Sequence, residues 1–109
     1  MTAEPKQGEI WWADAPEPVG RRPFLILTRN SVIARLANVT VAPLTTRNRN
    51  IHSEVALDRS DGLDRKCVIS IDNIFTFEKH RLESKISRLS EDRMDEVWEA
   101  IRFAFDMPL

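Results

Sequence analysis

Short runs of apolar residues, alternating or continuous, recur along most of the chain, and spacings of three and four take over only after Ser90. Glu9-Ile10-Trp11-Trp12-Ala13-Asp14 combines aromatic and β-branched residues over the length of a strand, and Pro16 and Pro18 end it. Phe24-Leu25-Ile26-Leu27-Thr28 follows Pro23 as a continuous apolar run, short enough to be a strand buried on both faces. Asn30 or Ser31 can cap one or two helical turns through Val32, Ile33 and Leu36, after which Asn38-Val39-Thr40-Val41-Ala42-Pro43 alternates again. Ser53 to Leu57, Val68 to Ile71 and Lys85 to Leu89 add further strands, and Ser60-Asp61-Gly62-Leu63-Asp64 reads as a turn or loop. Ser90 then caps a helix with Glu91 and Asp92 in its first turn, where the helix dipole favours them. Met94, Val97, Trp98, Ile101 and Phe105 form its apolar stripe, and Trp98 is expected in the core. Many short strands with small turns and one terminal helix predict a mainly β fold with helices: a compact, partly open β-barrel rather than a parallel sheet.

Composition narrows the class without naming an activity. A chain of 109 residues suits one domain with its own core, expected over 1–109 with no internal linker. With 42% apolar residues, 30% charged residues and three glycines, it is neither a disordered nor a fibrous sequence. No apolar run approaches the ~20 residues of a membrane helix, and Met1 to Gln7 is polar, so a cytoplasmic protein with no membrane contact is expected. Cys67 is the only cysteine and stands in the apolar run Cys67-Val68-Ile69, as a small hydrophobe rather than a nucleophile. No clustered His, Cys or carboxylate spacing suggests a metal, and no cofactor is expected.

Charge is where chemistry first shows. The net charge is −1, yet Arg21, Arg22, Arg29, Arg35, Arg47 and Arg49 lie between Pro18 and His52 with no Asp or Glu among them. From Ser53 onward nine Lys or Arg face thirteen Asp or Glu, so the first half should carry a basic face. A guanidinium stays charged at any working pH and offers a planar fork of donors, and the hydroxyls of Thr45 and Thr46 add adaptable ones. Such a set suits the phosphodiester backbone of a nucleic acid.

Four strings sharpen that expectation: Gly8-Glu9-Ile10-Trp11-Trp12, Gly20-Arg21-Arg22-Pro23-Phe24-Leu25-Ile26-Leu27, Val41-Ala42-Pro43-Leu44-Thr45-Thr46 and Ile86-Ser87-Arg88-Leu89-Ser90. In order and spacing they resemble the MazF/PemK-like toxins, over nearly the whole chain. The resemblance implies an SH3-like barrel that forms a homodimer. It also implies a ribosome-independent, metal-independent endoribonuclease that cuts single-stranded RNA at particular sequences and is neutralised by a cognate antitoxin with an acidic C-terminal tail. By motif, Arg22 before the proline would be the catalytic arginine and Thr45 after Pro43-Leu44 its companion. Attack by a ribose 2′-hydroxyl builds charge on the phosphorane oxygens, and preorganised cationic and hydroxyl donors stabilise it.

Arg21, Thr46, Arg47, Arg49 and Asn73 are the expected RNA contacts, with the arginines on phosphates and loop groups reading unstacked bases. Asn73 stands where members often carry Gln after an acidic residue. Two groups could act as general base: Glu17 in the loop ahead of the arginines, and His52, whose imidazole is the side chain most often used for proton transfer. The loop from Asp14 to Gly20 is shorter than in long members, which implies a different cleavage sequence. Trp11, Trp12, Phe75, Phe77 and Phe103 are numerous for one small core, in keeping with a two-fold partner. The alternative is a non-enzymatic CcdB-like toxin that binds DNA gyrase through its terminal helix; such relatives lack the Arg and Thr strings and end in Trp-Gly-Ile, whereas this chain ends Asp106-Met107-Pro108-Leu109.

Overall fold

The computed structural model of the chain describes residues 4–108. Met1 to Ala3, part of the polar N-terminal stretch, and Leu109, the last residue of the terminal string, lie outside the described residues.

Among the described residues the strands are β1 (Glu9–Asp14), β2 (Arg21–Ile26), β3 (Asn38–Thr45), β4 (Glu54–Leu57), β5 (Cys67–Ser70), β6 (Phe75–Glu78) and β7 (Leu82–Arg88). The helices are α1 (Asn30–Ile33) and α2 (Glu91–Ala104), joined by single 3-10 turns at Arg59–Asp61, Ile71–Asn73 and Lys79–Arg81. All strand pairs are antiparallel, in the order β4-β5-β3-β2-β1-β7, with β6 added against β3. The mainly β, open-sheet fold with a C-terminal helix therefore stands as expected.

β3 holds the molecule together because it changes partner along its length. Asn38 to Val41 pair with β6, Val41 to Pro43 with β2, and Leu44 and Thr45 with β5. Pro43 has no N–H to contribute and stands next to the point where the ladder passes to β5, a place where a missing donor does least harm.

Side chains alternate between two cores, following the period of two that a pleated strand imposes. Ile10, Leu25, Ala42 and Leu44 enter one, which Val97 and Ala100 of α2 close. Trp11, Ala13, Phe24, Ile26, Val39 and Val41 enter the other with Phe77. Phe24 meets the edges of Phe75 and Phe77, at 5.8 and 5.2 Å between ring centroids. The continuous apolar run is thus a strand buried on both faces, as its lack of alternation predicts.

Several local details differ from the pattern. β2 begins at Arg21 and ends at Ile26, and β6 is not marked by the sequence pattern at all. α1 has Arg29 at its N-cap with no side-chain cap bond. Asn30 Oδ1 instead accepts the Gln7 N–H at 2.7 Å, tying the loop to the chain start. Ser90 caps α2 as expected, its Oγ accepting from the Arg93 N–H. The stripe is shifted, however. Met94, Val97, Ala100, Ile101 and Ala104 pack on the core, Trp98 is only partly buried, and Phe105 is 61% exposed. Ala100 lets the helix approach the sheet more closely than a wheel centred on Trp98 allows.

Candidate active site

β2 starts and β3 ends at the same edge of the sheet. The register Phe24↔Pro43, Leu25↔Ala42, Ile26↔Val41 ends there, and Arg22 and Thr45 each lie two residues beyond its last pair, at the edge where β3 passes to β5. Period-two alternation then turns both side chains to the face of Phe24 and Pro43. They border the same two cavities, of about 460 and 670 Å³, one on each side of the pair.

Arg22 is half-buried, and its Nε is fully buried without a hydrogen-bond partner among the described residues. A buried donor left unpaired costs free energy, and such orphans concentrate where function demands them. Thr45 Oγ1 accepts the Arg47 N–H at 3.2 Å, which leaves its own proton free to donate. The two cavities thus share a guanidinium side chain with no ion-pair partner among the described residues and a hydroxyl free to donate.

The first cavity is walled by Trp12, Arg21, Thr46, Asp64 and Arg65 over an apolar floor of Leu44, Leu63 and Ile86. Arg21 places its guanidinium carbon 4.4 Å from the centroid of a Trp12 ring and its Nε 2.8 Å from Glu83 Oε1. The loop carrying Asp64 is pinned from outside. Asp61 pairs with Arg93 Nε of α2 at 3.0 Å, and Ser87 Oγ donates to the Asp61 carbonyl at 2.8 Å. Gly62 has φ +87°, and a Cβ there would stand 2.5 Å from Ser87 Cβ, so only glycine fits against β7. Cys67 also faces this cavity; burial, helped by the Asp61 carboxylate, pushes its thiol up to about 11. It is a proton-holding hydrophobe, in accord with its apolar sequence surroundings.

The second cavity is bordered by Arg47, Arg49, Glu54, Ser70, Asp72 and Asn73. Asn73 Nδ2 donates to Ser70 Oγ at 2.7 Å, Ser53 Oγ donates to Asp72 Oδ2 at 2.5 Å, and Glu54 Oε1 accepts the Arg49 N–H at 2.9 Å. Carboxylates from the acidic second half thus border both cavities. A division of charge by halves of the sequence misses them, since β4 and β5 return beside the end of β3. Trp12, expected from sequence as partner-facing apolar surface, lines the first cavity instead, and Glu83 and Ser70 carry no sequence signal for the site; the strand string containing Trp12 is the available one.

Not all expected residues converge. Arg21, Arg22, Thr45 and Thr46 line the first cavity, and Arg22, Thr45, Arg47, Arg49 and Asn73 the second. Arg29 and Arg35 flank α1 at the far end of the β2–β3 connection, so the six-arginine cluster divides into four and two. Glu17 is exposed in the loop closed by the Ala15 N–H to the Gly20 carbonyl, and borders neither cavity, although its neighbours Pro18 and Val19 border the second. His52 lies elsewhere, its ring 5.4 Å from that of Phe103 in a third depression between β4 and α2. Among the described residues no group of His, Cys, Asp and Glu is placed to hold a metal ion, and no helix is long and apolar enough to cross a membrane.

Comparison with known proteins matches residues 6–105 to the family described as PemK-like, MazF-like toxin of type II toxin-antitoxin system. Among curated relatives, a probable endoribonuclease MazF5 of Mycobacterium tuberculosis is 37% identical over 97% of this chain and 97% of its own length. Endoribonuclease MazF3 of the same organism is 43% identical over 79% of this chain and 84% of its own. Among solved structures, the Mycobacterium tuberculosis toxin MazF-mt6 superposes with a TM-score of 0.86 at 39% identity, covering 93% of this chain and 99% of that one. A mycobacterial endoribonuclease in complex with its cognate antitoxin gives 0.84 at 28% identity, over 96% and 98%.

Proposed function

The chain belongs to the PemK-like, MazF-like toxins of type II toxin-antitoxin systems, and from that premise we propose that it is an endoribonuclease that cuts single-stranded RNA between its two cavities. One observation carries the reading: Arg22, a cation in no ion pair among the described residues, and Thr45, with a hydroxyl proton free to donate, line both cavities. The relatives named as endoribonucleases support the reaction class.

In this reading the RNA strand crosses the sheet edge with one nucleotide in each cavity and the scissile phosphate at the pair. The 2′-hydroxyl attacks phosphorus, its proton passes to a base, and the 5′ oxygen leaves with a proton, giving 2′,3′-cyclic phosphate and 5′-hydroxyl ends. Arg22 and Thr45 hold the non-bridging oxygens, and their fixed donors stabilise the charge that grows there. The residues at hand supply this stabilisation as cationic and hydroxyl donors, without a metal. Proton removal falls to Glu17, whose loop borders the second cavity, ahead of His52, which packs on Phe103 away from the pair. Arg47, Arg49, Thr46 and Asn73 position the strand, and loop groups select its bases.

The partners follow the same reading. A cognate antitoxin would lay an acidic C-terminal tail across Arg22, Arg47 and Arg49, which border the cavities, and a relative solved with its antitoxin supports such a partner. Trp11 and Phe77 are hidden within one protomer, whereas Phe103 is 59% and Phe105 61% exposed, leaving apolar surface for a homodimer. The protein would act as a single domain in the cytoplasm, where its RNA is. The test is incubation of purified protein with long unstructured RNA and chelator: defined fragments ending in cyclic phosphates are expected, and intact RNA across varied sequences would defeat the reading.

A further inference from the structure

We propose that Arg21, unlike its neighbour Arg22, binds no phosphate: with Trp12 it forms a stacking platform that seats one unpaired nucleobase in the first cavity and sets the base preference beside the cut. This rests on the endoribonuclease reading and deepens it.

Three observations lead there. The guanidinium carbon of Arg21 lies over a Trp12 ring, 4.4 Å from its centroid, a cation–π contact that sets the two flat groups together. Its Nε is held 2.8 Å from a Glu83 carboxylate oxygen, so its charge is already paired and its position fixed from β7. The side chain is nonetheless 54% exposed and borders the first cavity.

A paired charge is a weak attractor for a phosphate, which would have to compete with Glu83 for the same donor. A flat cation set over an indole, with its edge tied back, instead offers a plane to a base. Guanidinium planes and aromatic rings are the surfaces on which unstacked RNA bases settle. The surroundings suit that guest: Leu44, Leu63 and Ile86 give an apolar floor, while Asp64, Arg65 and Thr46 stand at the rim to meet hydrogen-bonding edges. Arg22 differs in each respect, since its Nε is buried and unpaired and it makes no ion pair among the described residues.

The experiment compares wild type with Arg21→Lys, Arg21→Ala and Glu83→Gln on a randomised single-stranded RNA pool, with fragment ends sequenced, and on a short RNA carrying 2′-deoxyribose at the cut position, with affinity measured against salt. Arg21→Lys keeps the charge and loses the plane. It should weaken binding of the uncleavable RNA by about tenfold, the order of one lost stacking contact, and, with the base no longer held against the rim groups Thr46, Asp64 and Arg65, flatten the preference at one position next to the cut, while the salt dependence of binding stays as in wild type. Glu83→Gln frees the guanidinium and should blur the same position. If Arg21→Lys keeps the preference, or if Arg21→Ala lowers the salt slope by about 0.7, as loss of one phosphate contact on a single strand would, Arg21 is a phosphate ligand and the platform is wrong. Quenching of tryptophan emission by the uncleavable RNA, reduced in Trp12→Phe, reads base stacking without cleavage. A wild type that cuts nothing in the pool yet shows this quenching would defeat the nuclease reading and leave the platform standing.

Discussion

Arg22→Met should separate catalysis from stability. The substitution keeps much of the apolar stem and removes the buried Nε–H that has no partner among the described residues. An unsatisfied buried donor costs the folded state about 1–3 kcal/mol, and Arg22 makes no ion pair among the described residues that would be lost with it. A net gain of roughly 1 kcal/mol is therefore expected, which for a domain of this size raises the melting temperature by about 4 °C. Cleavage should fall by ~10²-fold or more, the usual cost of one preorganised electrostatic donor. Thermal melting of purified variant and wild type, set beside initial rates on a fluorescent RNA, reads both quantities. A variant that melts several degrees below wild type would make Arg22 a structural residue, and one that cleaves at the wild-type rate would remove it from the chemistry.

Further outcomes are expected of other positions. Thr45→Val removes the hydroxyl and should lower cleavage ~10²-fold with little change in melting; retained cleavage would withdraw its role. Glu17→Gln should slow cleavage and remove the acid limb of its pH profile, and an unchanged profile would exclude Glu17 as base. Glu9 is buried, which alone would raise its pKa, but the Trp11 indole, the Lys6 N–H and the Lys85 ammonium outweigh this and hold it below the usual 4.5. Its stabilising contribution is therefore present above that value and lost as pH falls through the lower folded one. Glu9→Gln should flatten the acid side of a melting-temperature against pH curve; an identical curve would contradict this. Gly62→Ala should destabilise the fold, since a Cβ would strike Ser87 Cβ at 2.5 Å in a left-handed backbone; an unaltered melt would mean the turn can move.

The meeting of Arg22 and Thr45 at the same two cavities was legible in sequence because each belongs to a short string at one end of its strand. Arg22 follows the turn that opens β2, and Thr45 ends β3. The breadth of the arginine cluster was not legible: nearness along the chain put Arg29 and Arg35 with the others, but a strand of six residues separates the two ends of β2. β6 escaped for a related reason. Phe75-Thr76-Phe77-Glu78 is too short for periodicity to declare it, and its strand state comes from pairing with Asn38 to Val41, far away in sequence. Trp98 shows the limit of a helical wheel, which ranks residues by apolarity while the real contact plane is set by how closely a small residue such as Ala100 lets the backbone approach.

The partner exchange along β3 has an evolutionary corollary. Because that one strand is stitched to three others, the anchorage of Thr45, and of β2 paired beside it, does not depend on the hairpin tips around the cleft. Two of those tips, at 15–20 and 46–53, can lengthen, shorten or change their side chains at small thermodynamic penalty, while the one at 58–66 is held by Gly62 against Ser87. Descendants of such a scaffold can diversify what enters the cleft while inheriting the two strand ends unchanged.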